Sequence, residues 1–220
     1  MPRWLKNNGL LLANAGLFVL FLGGMVFSGV ASYNDDQLAH GRQTVDLPAY
    51  LRSGHFMEAV FENWESEFLQ MAMYVVLTIF LFQKGSSESK PLGKEAEQDE
   101  NPRHARITRN TPWPVRKGGW ILVAYEHSLS GLLVVLFLGS ILMHAVGGAE
   151  SHSEEQLAHG LPPVSIWQYM ASSQFWFESF QNWQSEFLAV AVLVGASVFL
   201  RERGSPESKR VAEPHHQTGS

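Results

Sequence analysis

A glutamate occupies the same position in two copies of one seven-residue motif. Residues 63–69 read NWESEFL and residues 182–188 read NWQSEFL, so Glu67 and Glu186 each stand at the edge of an apolar segment. A carboxylate in apolar surroundings is costly to ionise, which suits it to proton exchange or to binding a small cation. We therefore predict an ion- or proton-binding site at these glutamates, with polar neighbours from both copies. Those neighbours are Asn63, Ser66, Asn182 and Ser185.

The same motif also has a purely structural interpretation. A glutamate near a helix end can accept hydrogen bonds from backbone amides or from a neighbouring helix, and asparagine and serine hold membrane helices together. Polar character extends deeper in the first copy, where Gln70 and Tyr74 stand in place of Ala189 and Leu193. The two copies are therefore not identical in function, and both interpretations remain open.

His144 is a further candidate for proton or ion binding. It lies near the outer end of the third apolar segment, at about the depth of the two glutamates. There it could pair with Glu186 as a proton relay or a metal ligand. A lone histidine at a helix end also serves as a hydrogen-bond partner between helices, which is the alternative interpretation.

Two acid–histidine pairs have a spacing that suits metal ligands. Asp36 and His40, like Glu155 and His159, are four residues apart, which places both side chains on one face of a helix. Two ligands without a third are weak grounds for a metal, and helix capping already accounts for the acids. The sequence therefore predicts no metal site and no cofactor.

Three sequence boxes recur along the chain, and their positions differ by 119 in each case (156 − 37, 182 − 63, 204 − 85). Upstream, Trp4 and FLG at 21–23 match Trp120 and FLG at 137–139 at a difference of 116 (120 − 4, 137 − 21). This predicts a gain of three residues between the first apolar segment and the QLAHG box of the second copy. Each copy then consists of a helix, a connection and a helix. The boxes are QLAHG at 37–41 and 156–160, the NWxSEFL motif, and GSxESK at 85–90 and 204–209.

The apolar segments are long enough to suggest membrane helices. Residues 7–34 and 127–149 contain no Asp, Glu, Lys or Arg, and each exceeds the roughly 20 residues that a bilayer-spanning helix needs. Residues 68–83 and 187–200 are shorter uncharged runs. Each reaches about 20 residues only by extending outward to Phe61 or Trp64, or to Phe180 or Trp183, which are aromatic residues suited to the membrane interface.

We predict an all-α integral membrane protein with four transmembrane helices, arranged as two parallel tandem two-helix repeats. The repeats span residues 1–90 and 118–209, a cytoplasmic linker spans 91–117, and a cytoplasmic tail spans 210–220. Of the 16 Lys and Arg residues, all but Arg42 and Arg52 lie in the predicted cytoplasmic parts. The positive-inside rule therefore places both termini in the cytoplasm. The net charge of −5 is the sum of the charges on the two opposite sides of the membrane, and it implies no nucleic-acid partner.

The first apolar segment also resembles a secretory signal peptide, with Arg3 and Lys6 ahead of it and Val30–Ser32 as a possible cleavage site. The apolar run is longer than a usual signal sequence, and its counterpart in the second copy is internal. We therefore expect residues 1–32 to stay attached.

The outer connections are predicted to contain short helices. Asn34 or Ser153 can cap a helix of about one and a half turns that ends at Gly41 or Gly160. Short surface elements follow around Tyr50 and Tyr169. Ser53 and Ser172 can then cap the helices that re-enter the bilayer.

The QLAHG, NWxSEFL and GSxESK boxes, together with PWPVRKGGW at 112–120 and YEHS at 125–128, resemble an uncharacterised family of small bacterial membrane proteins. That family is catalogued only as a domain of unknown function. The resemblance covers nearly the whole chain and implies a bacterial cytoplasmic-membrane protein with four helices. It implies no activity, cofactor or catalytic residue.

These observations favour an oligomeric proton or small-cation channel or carrier. Four spans are few for an enclosed pathway, so we expect a homo-oligomer in the lipid bilayer. The competing class is a non-catalytic membrane scaffold or envelope-stress accessory, with a protein partner at the extracytoplasmic segments. An enzyme is not expected, because the chain has no cysteine and no nucleophile, base and orienting group can be named together.

Overall fold

A computed structural model of the chain describes residues 2–91, 93 and 96–218. This part of the chain folds into helices and contains no strand, so the predicted all-α class is confirmed. The helices are α1 (Arg3–Asn7), α2 (Gly9–Ala39), α3 (Leu47–Tyr50), α4 (Gly54–Phe80), α5 (Trp113–Lys117), α6 (Gly119–Glu126), α7 (Ser128–Ala158), α8 (Ile166–Met170) and α9 (Ser173–Ala196), with a 3-10 turn at Glu97–Asp99.

Among the described residues, α2 and α7 are the helices that are both long and apolar enough to cross a membrane. Each has 31 residues, and a rise of about 1.5 Å per residue makes each longer than the ~30 Å hydrocarbon core. Helices α4 and α9 have 27 and 24 residues, so they also have the necessary length. Their first halves carry charges, and their crossing of the membrane stays a prediction.

The prediction of separate short helices through the QLAHG boxes was wrong. Helices α2 and α7 continue without a break to Ala39 and Ala158, because no proline or glycine interrupts the last turns. Gly41 and Gly160 then end the two helices with positive φ angles of 71° and 73°, as the sequence predicts.

Asn34 and Ser153 do not cap helices but fasten the loops that follow α2 and α7. Asn34 exchanges two hydrogen bonds with the backbone of Val45, at 3.0 and 2.7 Å. Ser153 exchanges two with the backbone of Val164, at 3.2 and 3.0 Å. The same loop geometry therefore occurs at positions that differ by 119.

The predicted gain of three residues is also not seen in the helices. Helices α2 and α7 are equal in length and begin and end at positions that differ by 119 (128 − 9, 158 − 39). The helix breaks that precede them fall at Asn8 and His127, which again differ by 119. The match between Trp4 and Trp120 is therefore not a structural equivalence.

The short helices and the caps of α4 and α9 follow the sequence closely. The Asp46 carboxylate accepts from the Ala49 amide at the start of α3, and Ser165 forms a capping box with Gln168 at the start of α8. Ser53 and Ser172 accept from the backbone amides of the third residues of α4 and α9. Their predicted capping role is confirmed.

The chain forms two compact units. The first comprises Met1–Phe61 and Leu142–Trp176, and its core contains Tyr50, Tyr169 and Phe175, all nearly inaccessible to solvent. In this unit the backbones of α4 and α7 approach closely at Gly54 and Gly147, where a Cβ atom would overlap the facing helix.

The second unit comprises Glu62–Ile141 and Phe177–Ser220. Its buried apolar residues include Ala72, Leu122 and Val198. It also buries polar side chains, among them Glu65 and Ser66, which is costly unless they are hydrogen-bonded. These polar groups belong to the candidate sites below.

Candidate cation and proton sites

The two glutamates of the NWxSEFL motifs lie in the second unit. Glu67 is exposed and Glu186 is half-buried, and the negative charge of Glu67 acts on the Glu186 carboxyl group in addition to the burial of that group. Neighbouring carboxylates of this kind favour the uptake of a proton or a cation, which removes the repulsion. Both acids of the repeated motif therefore lie in the same compact unit.

The serines of the motifs are engaged with their own helices. Ser66 donates to the Asn63 carbonyl and Ser185 donates to the Asn182 carbonyl, both at 2.8 Å. Such bonds to the preceding turn satisfy a hydroxyl without a second helix. Each serine hydroxyl can therefore only accept, and not donate, a further hydrogen bond.

Asn182 acts between helices in the second unit. Its amide donates to the Glu62 carboxylate of α4 and also to the Glu178 carbonyl at 3.2 Å. This is the hydrogen-bonding role that the structural interpretation expects for asparagine in membrane helices.

Among the described acids of the second unit, Glu65 is the most deeply buried, and sequence reasoning missed it. Its side chain is inaccessible to solvent, and its carboxylate accepts a 2.8 Å hydrogen bond from the indole Nε1 of Trp183. Glu65 lies on the opposite face of α4 from Glu67, and the second copy has Gln184 at the equivalent position. The sequence did contain one signal for this site, because a polar residue directly follows the tryptophan in both copies.

His144 lies in the first unit and is fully buried. Its ring stacks on Phe175 at 4.9 Å between centroids and meets Tyr169 edge-on at 6.3 Å. A ring nitrogen of His144 and a carboxylate oxygen of Glu58 lie within 4.8 Å of each other. The predicted pairing of His144 with Glu186 stays a prediction.

Glu58 completes this cluster and was also missed. Its carboxylate accepts a 3.2 Å hydrogen bond from the Tyr169 hydroxyl. The second copy has Phe177 at the equivalent position, so the repeat offered no signal for Glu58. We call His144, Glu58 and Tyr169 the buried His–Glu–Tyr cluster. An imidazole, a carboxylate and a phenol that lie this close together can hold and exchange a proton.

A cavity of about 390 Å³ lies elsewhere in the first unit, at the ends of α2 and α7. We call it the outer pocket. Both acid–histidine pairs line it, Asp36 with His40 and Glu155 with His159. Sequence spacing could place each pair on one helix face, but only the fold brings the two pairs to one cavity. Its other lining residues are Ser32, Tyr33, Gln37, Arg42, His55, Ser151, Glu154 and Ala158.

His55 lines the outer pocket from the first turn of α4. Its ring packs against Tyr33 at 5.3 Å and Tyr50 at 5.9 Å between centroids. Burial lowers the pKa of His55, and the negative charges of Asp36 and Glu154 partly oppose that shift. The neutral imidazole is therefore the favoured form at neutral pH.

Glu154 and Arg42 hold one wall of the outer pocket. The Tyr33 hydroxyl donates to the Glu154 carboxylate at 3.0 Å, and the Arg42 guanidinium donates to the Glu154 carbonyl at 3.0 Å. These bonds join α7 to α2 and to the loop that follows α2. They leave the carboxylates of Asp36 and Glu155 as the more exposed acids of the pocket.

The fold and these sites define an all-α protein with two candidate membrane-spanning helices and several buried titratable side chains. The chain belongs to the family of the domain of unknown function DUF6766, whose model matches residues 1–220. The predicted membership of a family known only as a domain of unknown function is thereby confirmed. No curated protein and no solved structure is significantly similar to the chain.

Proposed function

We propose that the protein is a multi-pass protein of the bacterial cytoplasmic membrane that binds and moves protons or small cations. In this proposal α2, α4, α7 and α9 cross the bilayer, and both termini lie in the cytoplasm. The lengths of the four helices and the distribution of Lys and Arg support this topology.

The observation that carries the proposal is the buried His–Glu–Tyr cluster at the outer end of an apolar helix. His144 is inaccessible to solvent, and the Glu58 carboxylate beside it accepts from Tyr169. Ionisable side chains within membrane segments are expensive, and they commonly mark ion pathways and proton relays. In the proposal, a proton resides on either His144 or Glu58 and is stabilised by the other group.

Glu67 and Glu186 supply the second part of the proposal. The charge of Glu67 acts on the partly buried Glu186 carboxyl group, which favours the uptake of a proton or a small cation there. Helix α2 exposes its apolar stretch, since none of the 18 residues in its most apolar part is buried. Association of identical chains through such a helix would enclose a pathway that four helices alone enclose poorly.

The test is flux into liposomes that contain the purified protein, measured against pH gradients and cation gradients. We expect Glu67→Gln/Glu186→Gln and His144→Gln each to reduce flux to the level of empty liposomes. Each substitution keeps a polar side chain of similar size and removes the titratable group. The matched control is His127→Gln, which changes an exposed histidine just ahead of α7.

Two results would overturn the proposal. The first is wild-type flux no higher than that of empty liposomes, and the second is undiminished flux in both variants. Loss of flux in the His127→Gln control as well would show that the effect is not specific to the two sites.

A scaffold in the membrane is the second candidate function, and one observation favours it. Large apolar side chains are exposed in the first unit, including Trp167 of α8 at 76% and Leu38 in the last turn of α2 at 60%. Exposed aromatic residues are typical anchors of protein–protein interfaces. In this alternative the external segments bind a protein partner, and the glutamates only fix helix packing.

The two functions predict different consequences of the same variants. If the protein is a scaffold, Glu67→Gln/Glu186→Gln lowers thermal stability or assembly and alters no flux. Trp167→Ala then weakens assembly without lowering the melting temperature of the chain. Flux that depends on the glutamates while assembly is insensitive to Trp167 would exclude the scaffold.

A further inference from the structure

The connection between α4 and α6 is divided into an acidic half and a basic half. Residues 84–100 contain three lysines and five Asp or Glu residues, whereas residues 103–117 contain five cations and no acid. The basic half ends just before α6, and α6 leads into the apolar helix α7. We call residues 103–117 the basic segment. Its cations are Arg103, Arg106, Arg109, Arg116 and Lys117.

The charges of the basic segment are exposed and are mostly not neutralised by the protein. All five cationic residues are exposed. Arg103 approaches the Glu126 carboxylate at 3.8 Å, whereas the other four form no ion pair with any residue that the structure describes. In the acidic half, by contrast, Lys90 donates to the Asp99 carboxylate at 2.7 Å. The positive charge of the basic segment is therefore available to a partner outside the chain.

Helix α5 places part of this charge beside a tryptophan. Arg116 and Lys117 follow Trp113 by three and four residues, so the three side chains share one face of the short helix. Trp113 is 58% exposed, and Trp120 at the start of α6 is 79% exposed. Exposed tryptophans beside cations are typical of the interface between membrane and water, where the indole lies at the level of the lipid headgroups.

We propose that the basic segment binds the headgroups of anionic phospholipids in the cytoplasmic leaflet. A cluster of roughly four to eight Lys and Arg residues next to a membrane helix is attracted to the negative surface of that leaflet. The guanidinium group of arginine can also bind a phosphate through two parallel hydrogen bonds. This binding rests on the topology of the proposed function, which places the segment in the cytoplasm, and it does not depend on whether ions move.

Nucleic acids also attract cations, but the surroundings of the basic segment favour a lipid. The segment leads into α6 and α7, which expose apolar side chains such as Val123 and Leu129. In the proposed topology the cations therefore lie a few residues from the bilayer, where the phosphates of the headgroups are the nearest anions.

The test is thermal unfolding of the full chain in a non-ionic detergent, with added dioctanoyl phosphatidylglycerol or dioctanoyl phosphatidylcholine. A ligand that binds only the folded chain raises the melting temperature by an amount that depends on its concentration relative to Kd. We expect phosphatidylglycerol to raise the melting temperature and phosphatidylcholine to leave it unchanged. Arg116→Gln/Lys117→Gln should weaken the apparent Kd for phosphatidylglycerol by about fivefold or more. The matched control is Arg203→Gln/Arg210→Gln, which removes two exposed cations of the tail and should respond as the wild type does.

A second variant keeps the test decisive if the first one does not fold. Arg106→Gln/Arg109→Gln removes two exposed cations ahead of α5, and it should also weaken the apparent Kd by about fivefold or more. Inorganic phosphate and a short single-stranded DNA are titrated separately. Neither should raise the melting temperature as much as phosphatidylglycerol does.

Four results would overturn the proposal: equal shifts with the two lipids, equal responses of the wild type and both basic-segment variants, an equal loss of response in the tail control, or a shift with phosphate or DNA that matches the shift with phosphatidylglycerol. No flux is measured in this experiment. A wild type that responds to phosphatidylglycerol without any flux would overturn the transport proposal alone, and flux without a lipid response would overturn lipid binding alone.

Discussion

The Tyr169 hydroxyl donates a 3.2 Å hydrogen bond to the Glu58 carboxylate, and both residues belong to the first unit. Tyr169 is fully buried, so its hydroxyl cannot exchange this partner for bulk water. The first copy has Tyr50 at the equivalent position, where the hydroxyl lies against Gly29. Both tyrosines therefore pack against equivalent glycines, and Tyr169 in addition donates to a carboxylate.

Replacement of Tyr169 by phenylalanine should destabilise the protein by about 0.5–1.5 kcal/mol, because the half-buried Glu58 carboxylate loses a donor. Tyr50→Phe is the matched control and should cost less than half as much. Thermal unfolding in detergent measures both changes. Equal costs for the two variants would contradict a specific role for the bond to Glu58.

Gly148 should not tolerate a side chain. A Cβ atom there would overlap the Tyr169 ring, so Gly148→Ala should cost about 1–3 kcal/mol through overpacking. Gly139 lies in the same helix and has no atom near the equivalent Cβ position. Gly139→Ala should therefore change the free energy of unfolding by at most about 1 kcal/mol, with a stabilising sign. A similar loss of melting temperature in both variants would refute the close packing.

Acidification should destabilise the protein in part through His55. Because burial lowers its pKa, the unfolded chain binds the proton more tightly than the folded chain does. The free energy of unfolding then falls as the pH drops below the ordinary histidine pKa of about 6.5, and this contribution levels off below the folded-state pKa.

The second copy has Gln174 at the position of His55, which makes His55→Gln a natural substitution. The variant should lose less stability than the wild type between about pH 7.5 and about pH 5.5. Denaturant unfolding at several pH values measures the difference. Parallel pH profiles would show that another group is responsible for the acid sensitivity.

Removal of the indole donor at Trp183 should expose the cost of burying Glu65. Trp183→Phe keeps an aromatic ring but removes the 2.8 Å bond to the Glu65 carboxylate, and a loss of about 1–3 kcal/mol is expected. Trp167→Phe is the control, because Trp167 is largely exposed. Thermal unfolding should separate the two variants, and an unchanged melting temperature for Trp183→Phe would argue against the bond.

Lys209 should hold the end of the chain in place. Its ammonium donates to the carbonyls of Pro214, His215 and Gln217 at 3.4, 3.1 and 2.8 Å, and burial lowers its pKa. The equivalent Lys90 instead donates to the Asp99 carboxylate at 2.7 Å. The lysine at the end of the GSxESK box therefore forms hydrogen bonds with a different following segment in each copy.

Substitution of Lys209 by methionine should speed cleavage by a glutamate-specific protease at Glu213, because three backbone bonds lose their donor. Lys90→Met should leave cleavage at that site unchanged. Mass spectrometry of the fragments over time gives the rates. Equal rates at Glu213 in the wild type and in Lys209→Met would show that the ammonium does not fasten the tail.

The sequence by itself determined the features that depend on near neighbours along the chain. Charge-free runs specify the apolar helices α2 and α7, glycines specify where those helices end, and Ser53 and Ser172 specify where α4 and α9 begin. Each of these depends on backbone geometry and hydrogen bonds within one or two turns. The single exception is Asn34 with its counterpart Ser153, whose capping tendency was overridden by loops that return to them from eleven residues away.

Only the tertiary structure decided which polar side chains are buried and which of them meet. Glu58 and Glu65 look like ordinary surface acids in the sequence, because their burial depends on Tyr169 and Trp183, more than a hundred positions away. The outer pocket depends on the same kind of long-range contact, since positions that differ by 119 line one cavity. A local pattern cannot specify such contacts, because the free energy of burying a charge is set by the partner that the fold supplies.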